Sequence, residues 1–237
     1  MELERYRRQL NIPEIGMEGQ NRLASSSVLV AGAGGLGGPV LYALAGAGVG
    51  RLVVVDGDTV SLSNLNRQFL FTQADLGRPK AEVAARRLAA FNPELRVEGQ
   101  VCQLDRKNGK AMLAGCQLAV TAVDNLEGRL ALNAVCVEQG LPLVNGGVDG
   151  WYGTVMAVEP HKTPCLACCY AGTTSEQSGE ALGAVTGAVG SLMASVALQL
   201  LLGENPIPGE LLLYDGKRLE LERVPVERSP GCSVCGT

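Results

Sequence analysis

Up to Gly150 the chain alternates short, almost wholly apolar runs with longer mixed segments. Residues 28–32 are apolar and end in glycine, the pattern of a strand buried on both faces. Residues 39–48 then predict a helix, and residues 52–56 a second buried strand that ends in an acid. A helix is expected over 79–91, with proline at its start and Asn92-Pro93 at its end. A weaker strand follows at 96–101 and a strong one at 118–124. A helix over 125–139 and a strand at 143–145 complete the alternation. Repeated strand–helix units predict an α/β fold, a Rossmann-like doubly wound, mostly parallel sheet with helices on both faces.

Beyond Gly150 the pattern changes. A strand at 154–159 is followed by a Ser-, Thr- and Gly-rich loop with cysteines at 160–180. Residues 181–203 carry no charge. They are long enough to span a bilayer. Glycine, serine, threonine and glutamine dilute them, and no Trp or Tyr anchors either end, so a helix buried on all sides in a core or dimer interface is expected instead. Residues 211–215 and 218–226 predict an antiparallel extension around Gly216-Lys217. Residues 1–24 are polar and predict an N-terminal helical arm, leaving 25–237 as a single nucleotide-binding domain with a C-terminal elaboration.

Composition narrows the partners. Of 237 residues, 31 are glycine while aromatics make up 4%, which favours tight backbone turns over aromatic stacking platforms. The formal net charge of -4 argues against nucleic acid, whose phosphates call for a basic face. The charged N-terminus lacks the apolar core of a signal peptide, so a cytoplasmic protein without a membrane anchor is expected. In that compartment the eight cysteines should be thiols or metal ligands.

The strongest candidate chemistry is the loop Gly32-Ala-Gly34-Gly35-Leu-Gly37, a GxGxxG placed between a strand and a helix. Such glycines let the backbone approach a phosphate at a helix N-terminus. Asp56 lies 19 residues beyond Gly37, where an acid would hold a ribose hydroxyl. NAD is the usual ligand of this pattern, but Asp58, Asn64, Arg67 and Gln68 follow directly and Lys80 opens the next helix. Converging basic groups suit a triphosphate and its developing charge, whereas hydride transfer has no use for them. The plainer alternative for Arg67 and Lys80 is a pair of solvated surface charges. Asp124 ends a strand at the ligand crevice, as a Mg2+ ligand or as a helix N-cap.

Two C-x-x-C pairs, Cys165/Cys168 and Cys232/Cys235, have the composition of a closed, structural Zn2+ site. The 63 residues between the pairs exceed compact zinc-ribbon spacing. Cys169 adjoins the first pair, as a substitute ligand or a free thiol.

Together these residues resemble the MoeB/ThiF/HesA family, the bacterial relatives of ubiquitin-activating enzymes. The motifs are Arg-Tyr-x-Arg-Gln at 5–9, the glycine loop, Asp-x-Asp-x-Val-x-x-Ser-Asn-Leu-x-Arg-Gln at 56–68, Lys80, Asp124-Asn125 and the cysteine pairs. The resemblance implies a homodimer that uses ATP and Mg2+ to adenylate the C-terminal glycine of a ubiquitin-like sulfur carrier ending in Gly-Gly. It also implies Asp56 on the ribose, Asn64, Arg67 and Lys80 on the phosphates, Asp124 on Mg2+ and Arg8 reaching ATP in the partner subunit's site. The four cysteines would bind zinc. ThiF-like members carry a loop cysteine before the long helix, and this chain has Glu176 at about that place, so no covalent cysteine step is expected there. No rhodanese-like segment follows, so a separate protein is expected to donate sulfur. Two competing readings are a Rossmann NAD(P) oxidoreductase and a non-catalytic activating-enzyme-like subunit.

Overall fold

The computed structural model describes residues 2–171 and 180–236. Its centre is an eight-stranded sheet in the order β3-β2-β1-β4-β5-β6-β7-β8. The parallel part comprises β1 (Ser27–Ala31), β2 (Arg51–Val55), β3 (Arg96–Gln100), β4 (Leu118–Thr121) and β5 (Leu143–Asp149). The antiparallel part adds β6 (Tyr152–Val158), β7 (Glu210–Asp215) and β8 (Glu220–Pro225). This is the doubly wound sheet with an antiparallel C-terminal extension that the alternation predicts.

Each central strand feeds two cores, because successive side chains point to opposite faces. Val28, Val30, Leu52, Val54, Leu118 and Val120 pack on one face against α3 (Gly37–Ala47), α4 (Lys80–Phe91) and α8 (Gly183–Leu202). Leu29, Ala31, Val53, Val55 and Ala119 pack on the other against α5 (Gly109–Met112), α6 (Leu126–Gln139) and α7 (Leu166–Cys169). The single-turn helices α5 and α7 are too short for periodicity to reveal.

The N-terminal segment is two helices, α1 (Leu3–Leu10) and α2 (Gly16–Ser25), and it is packed on the body. Tyr6, Gln20 and Leu23 are buried, and the amides of Gln9 and Gln20 both donate to the Ala47 carbonyl. Strand β5 runs to Asp149, four residues further than expected, and pairs with β6 across a two-residue turn at Gly150-Trp151. Glycines 146 and 147 hide the apolar pattern there.

Helix α8 (Gly183–Leu202) is the uncharged segment. By length and composition this helix could cross a membrane, yet 44% of its most apolar window is buried within the fold. Its buried side packs against α3, β5 and β6. Ala184, Ser191 and Ser195 face outward, so within one chain the helix is covered on one side, and burial all round would need a second subunit.

Candidate nucleotide site and thiol cluster

The sheet order reverses between β1 and β4, and a 280 Å³ cavity opens beyond the carboxyl ends of these strands. The glycine loop forms its floor. Gly32 has φ +93°, and a Cβ there would lie 2.7 Å from the Ala122 carbonyl oxygen. At Gly37 a Cβ would meet the Gly32 oxygen at 1.9 Å. The turn is therefore open only to glycine at both ends. Helix α3 begins at Gly37 without a side-chain cap, so its N-terminal amides face the cavity as an anion site.

Asp56 follows the last residue of β2. It accepts from the Ala33 N–H through Oδ2 at 2.8 Å and from the Asp58 N–H through Oδ1 at 2.9 Å. Burial pushes its carboxyl up; the two N–H groups and the Lys80 ammonium offset this only in part. Each oxygen keeps a lone pair for a sugar hydroxyl.

Lys80 is no solvated surface charge. Its side chain is 7% exposed, and Nζ lies 2.9 Å from Asp58 Oδ2 at the cavity wall. Arg67 also lines the cavity, where Nη1 donates to the Ser63 carbonyl and to Asn66 Oδ1, each at 2.9 Å. Gln68 is buried beside Gly34, and its Oε1 has no hydrogen-bond partner among the described residues. An orphaned acceptor on the wall of a glycine cradle calls for a ligand's hydrogen-bond donor, such as a sugar hydroxyl or a base amine, while the two cations beside it face the ligand's anionic part.

Asp124 reaches the cavity without a hydrogen bond or ion pair to any described residue. The N-cap of α6 is instead Asn125, whose Oδ1 accepts from the Gly128 N–H at 2.7 Å. The helix-cap alternative for Asp124 therefore fails, and its carboxylate is free for a cation.

Two expected residues stand elsewhere. Asn64 does not line the cavity; its Oδ1 accepts from the Ser61 N–H at 3.1 Å and caps a 3-10 turn. Arg8 is exposed on α1, beside the far end of α3, where Tyr6 packs on Gly48. The 11 residues of α3 put that end about 16 Å from the glycine loop. Arg8 is not brought to the cavity of its own chain. Glu176 lies outside the described residues.

Among the cavity residues that escape sequence reasoning are Gln103, Glu180, Thr186 and Arg129. Thr186 arrives on α8 and packs over Gly35. Arg129 lies one turn into α6, 3% exposed, with Nε donating to the Val123 carbonyl at 2.9 Å. Its position four residues after Asn125 is the one signal for it, since that spacing shares a helix face.

Cys165, Cys168, Cys232 and Cys235 place their sulfurs within 4.8 Å of one another. Cys165 Sγ is 3.7 Å from Cys232 Sγ, and Cys168 Sγ is 3.4 Å from Cys235 Sγ. Tetrahedral thiolates at zinc bond length have edges of about 3.8 Å, so the four sulfurs fit one Zn2+ with no position left open. Burial works against the Cys232 thiolate, but the N–H groups of Cys235 and Val234 and the neighbouring thiols hold it down to about 7. Burial pushes the Cys235 thiol up. Cys169 is outside this group and lines an adjacent groove.

A phosphate-cradling turn at the switch point of a doubly wound sheet, braced by a closed thiol knuckle, defines the class: a nucleotide-binding α/β protein. Within it, the chain belongs to the ThiF family, whose model matches residues 6–234. It is 44% identical to a sulfur carrier protein adenylyltransferase of Thermus thermophilus, over 99% of this chain and 91% of that protein. It is 41% identical to the SAMP-activating enzyme E1 of Haloferax volcanii, over 99% of this chain and 89% of that one. With the sulfur carrier protein ThiS adenylyltransferase of E. coli it shares 37% identity, over 98% and 94%. A crystal structure of E. coli MccB with MccA-N7isoASN has the same fold, with a TM-score of 0.86 at 23% identity, covering 100% of this chain and 75% of that one.

Proposed function

We propose that this protein is an adenylyltransferase that activates the C-terminal glycine of a ubiquitin-like sulfur carrier with ATP. The observation that carries this reading is the cavity's composition: a glycine cradle and two cations face a carboxylate, Asp124, that has no partner among the described residues. A carboxylate oxygen of the carrier attacks the α-phosphorus, pyrophosphate leaves, and an acyl-adenylate forms. Two anions must meet, so the work of the site is positioning and charge neutralisation.

In this reading Asp56 holds the ribose, while Gly32, Gly34, Gly35 and Gly37 with Arg67 and Lys80 hold the phosphates. Asn64 shapes the turn that carries Arg67. Asp124 would ligate Mg2+, which when bound draws charge from the phosphates. The four thiols would hold structural Zn2+ away from the reacting atoms.

The assembly we propose is a homodimer in which Arg8 serves the partner subunit's cavity. The outward Ala184, Ser191 and Ser195 face of α8 supports it, being free of charge on an otherwise apolar helix. Exposed Trp151, Tyr152 and Leu221 beside the β7–β8 hairpin support a protein partner on that side. All eight cysteines are free thiols, which favours the reducing cytoplasm.

The test is ATP–pyrophosphate exchange with Mg2+ and a panel of purified carriers ending in Gly-Gly. Exchange that depends on one carrier, and disappears when its last glycine is deleted, is expected. ATP binding with no exchange for any carrier would overturn the reading in favour of a non-catalytic subunit.

A further inference from the structure

Starting at its N-cap, α6 carries three polar residues at four-residue spacing, Asn125, Arg129 and Asn133, which share one face of the helix. The first two line the nucleotide cavity. Asn133 stands about 12 Å further along the axis than Asn125, where α6 meets α7 and the thiol cluster.

Asn133 is fully buried. Its Oδ1 accepts from the Leu166 N–H at 3.0 Å, and Leu166 directly follows Cys165, the first thiol of the cluster. That bond settles which end of the amide is which, since Leu166 supplies the donor. The other end, Nδ2, is also buried and has no oxygen or nitrogen acceptor among the described residues. A donor left in that state is costly. The atom within its range is the Cys165 sulfur. Burial pushes the Cys165 thiol up, while the Cys168 N–H, Cys235 and the Asn133 amide pull against it. Asn133 therefore favours the thiolate, the form that ligates a metal.

The contact has a second rung. Helix α7 is N-capped by Cys165 and contains Cys168, so it carries half of the thiol cluster. Just past its last residue, the Tyr170 hydroxyl accepts from Arg129 Nη1 at 3.4 Å. The face of α6 that reaches the nucleotide cavity thus holds α7 at both ends, through Asn133 at Leu166 and through Arg129 at Tyr170.

Resting on the zinc reading of the thiol cluster, we propose that Asn133 is a positioning residue of the metal centre, donating through Nδ2 to the Cys165 thiolate and linking that centre through α6 to the nucleotide cavity. A hydrogen bond to a ligating group fixes its orientation and tunes what it gives the metal. A donor to a thiolate is charge-assisted, which makes the bond stronger than one to a neutral thiol. Asn133 acts through Cys165 and touches neither the nucleotide nor the reacting atoms.

The experiment measures the zinc affinity of the full chain by chelator competition, with and without Mg2+ and a non-hydrolysable ATP analogue. Asn133→Asp keeps an acceptor for the Leu166 N–H but replaces the donor beside the thiolate with an anion. It is expected to weaken zinc binding by about 10–100-fold, the range for a lost outer-shell partner. Wild-type zinc affinity in this variant would overturn the assignment, because an Asn133 that served only Leu166 would be replaced without loss. In the wild type the ATP analogue should tighten zinc binding by about fivefold, the lower end of coupling between two sites, and in Asn133→Asp by less than about twofold. A gain that is absent in the wild type, or equal in both proteins, overturns the link through α6. The wild type loaded with an NMR-active isotope of cadmium gives a readout that stands even if Asn133→Asp does not fold. A coupling between the metal and the Asn133 side-chain amide protons, carried through the sulfur, is expected, and its absence overturns the assignment. Wild-type protein that binds no zinc at all would remove the zinc reading itself, and this assignment with it.

Discussion

Lys80 Nζ sits 2.9 Å from Asp58 Oδ2, pairing a side chain that is 7% exposed with one that is 59% exposed. The carboxylate holds the ammonium at the cavity wall and can yield it to a phosphate oxygen without moving the lysine stem. Lys80→Ala should slow adenylate formation by about 10²-fold, the usual cost of losing a group that stabilises developing charge. Arg67→Ala should cost a similar factor. Pyrophosphate exchange at saturating ATP checks both, and near-normal rates in both would remove the phosphate assignment.

Asp124 offers a cleaner separation of chemistry from folding. Asn125 already caps α6, so Asp124→Asn should change stability by no more than about 0.5 kcal/mol, as exposed substitutions usually do. The same variant should raise the Mg2+ concentration needed for half-maximal exchange by roughly tenfold or more, as expected for a lost carboxylate ligand. A Mg2+ titration of wild type and variant, beside thermal melts, tests both halves. An unchanged Mg2+ requirement would show that Asp124 is not the metal ligand.

The legible part of this protein is the part whose meaning is local. The tight turn from Gly32 to Gly37 and the two C-x-x-C pairs are each written within six residues, and the structure gives the turn its glycine-only geometry and gathers the four thiols into one cluster. Asp56 and Lys80 could be placed because each sits at the end of a recognisable element. Asn64, a phosphate ligand by the resemblance, uses its Oδ1 to satisfy a turn N–H, a role that residue type alone does not separate from ligand binding. Arg129 and Thr186 were invisible for another reason. They reach the cavity through the packing of α6 and α8, and apart from the four-residue step from Asn125 to Arg129 no spacing within either helix encodes which neighbour it will meet.

Away from the site, Asp75 is the most heavily invested carboxylate. Its side chain is 3% exposed and accepts from the Thr72 N–H and hydroxyl at 2.9 and 2.8 Å. Arg86 Nη2 lies 2.9 Å from Oδ1, and Arg87 pairs with Oδ2. Burial raises the carboxyl, and the Thr72 donors with Arg87 more than reverse this, leaving it below the ordinary range. Asp75→Ala should cost about 3 kcal/mol, or roughly 6–12 °C in Tm at this chain length. A depressed carboxylate contributes stability above its unfolded-state value and loses it as pH falls through the native one. The Tm gap between wild type and Asp75→Asn should therefore be full near neutrality and close in strong acid. A gap that stays constant with pH would show that the charge contributes nothing.

The thiol cluster ties the chain's last described residues to α7, with Arg228 Nη2 donating to the Thr163 carbonyl alongside it at 3.0 Å. Purified protein should contain one zinc per chain by elemental analysis. Chelation, or Cys232→Ser, should lower Tm by about 5 °C or more, equal to roughly 2 kcal/mol for a chain of this size. Exchange assayed well below the lowered Tm should persist, because four thiolates leave zinc no open position for substrate. Loss of exchange in folded, zinc-free protein, restored by added metal, would make the site catalytic instead of structural.

Arg8 supplies the test of the dimer. It stands at the end of α3 remote from its own glycine loop, so its role in adenylation requires a second subunit. Arg8→Ala and Asp124→Ala should each be strongly impaired as pure proteins. Mixed in equal amounts and allowed to exchange subunits, they should recover about a quarter of wild-type activity. Half the dimers would then be mixed, and each of these would hold one complete site, with Asp124 from one subunit and Arg8 from the other, and one doubly deficient site. Recovery requires that the two residues act from different chains. If the mixture is no more active than its components while mass spectrometry detects mixed dimers, Arg8 does not complete the partner's site. The N-terminal helices would then serve only to brace α3 through Tyr6 and the Gln9–Gln20 amides.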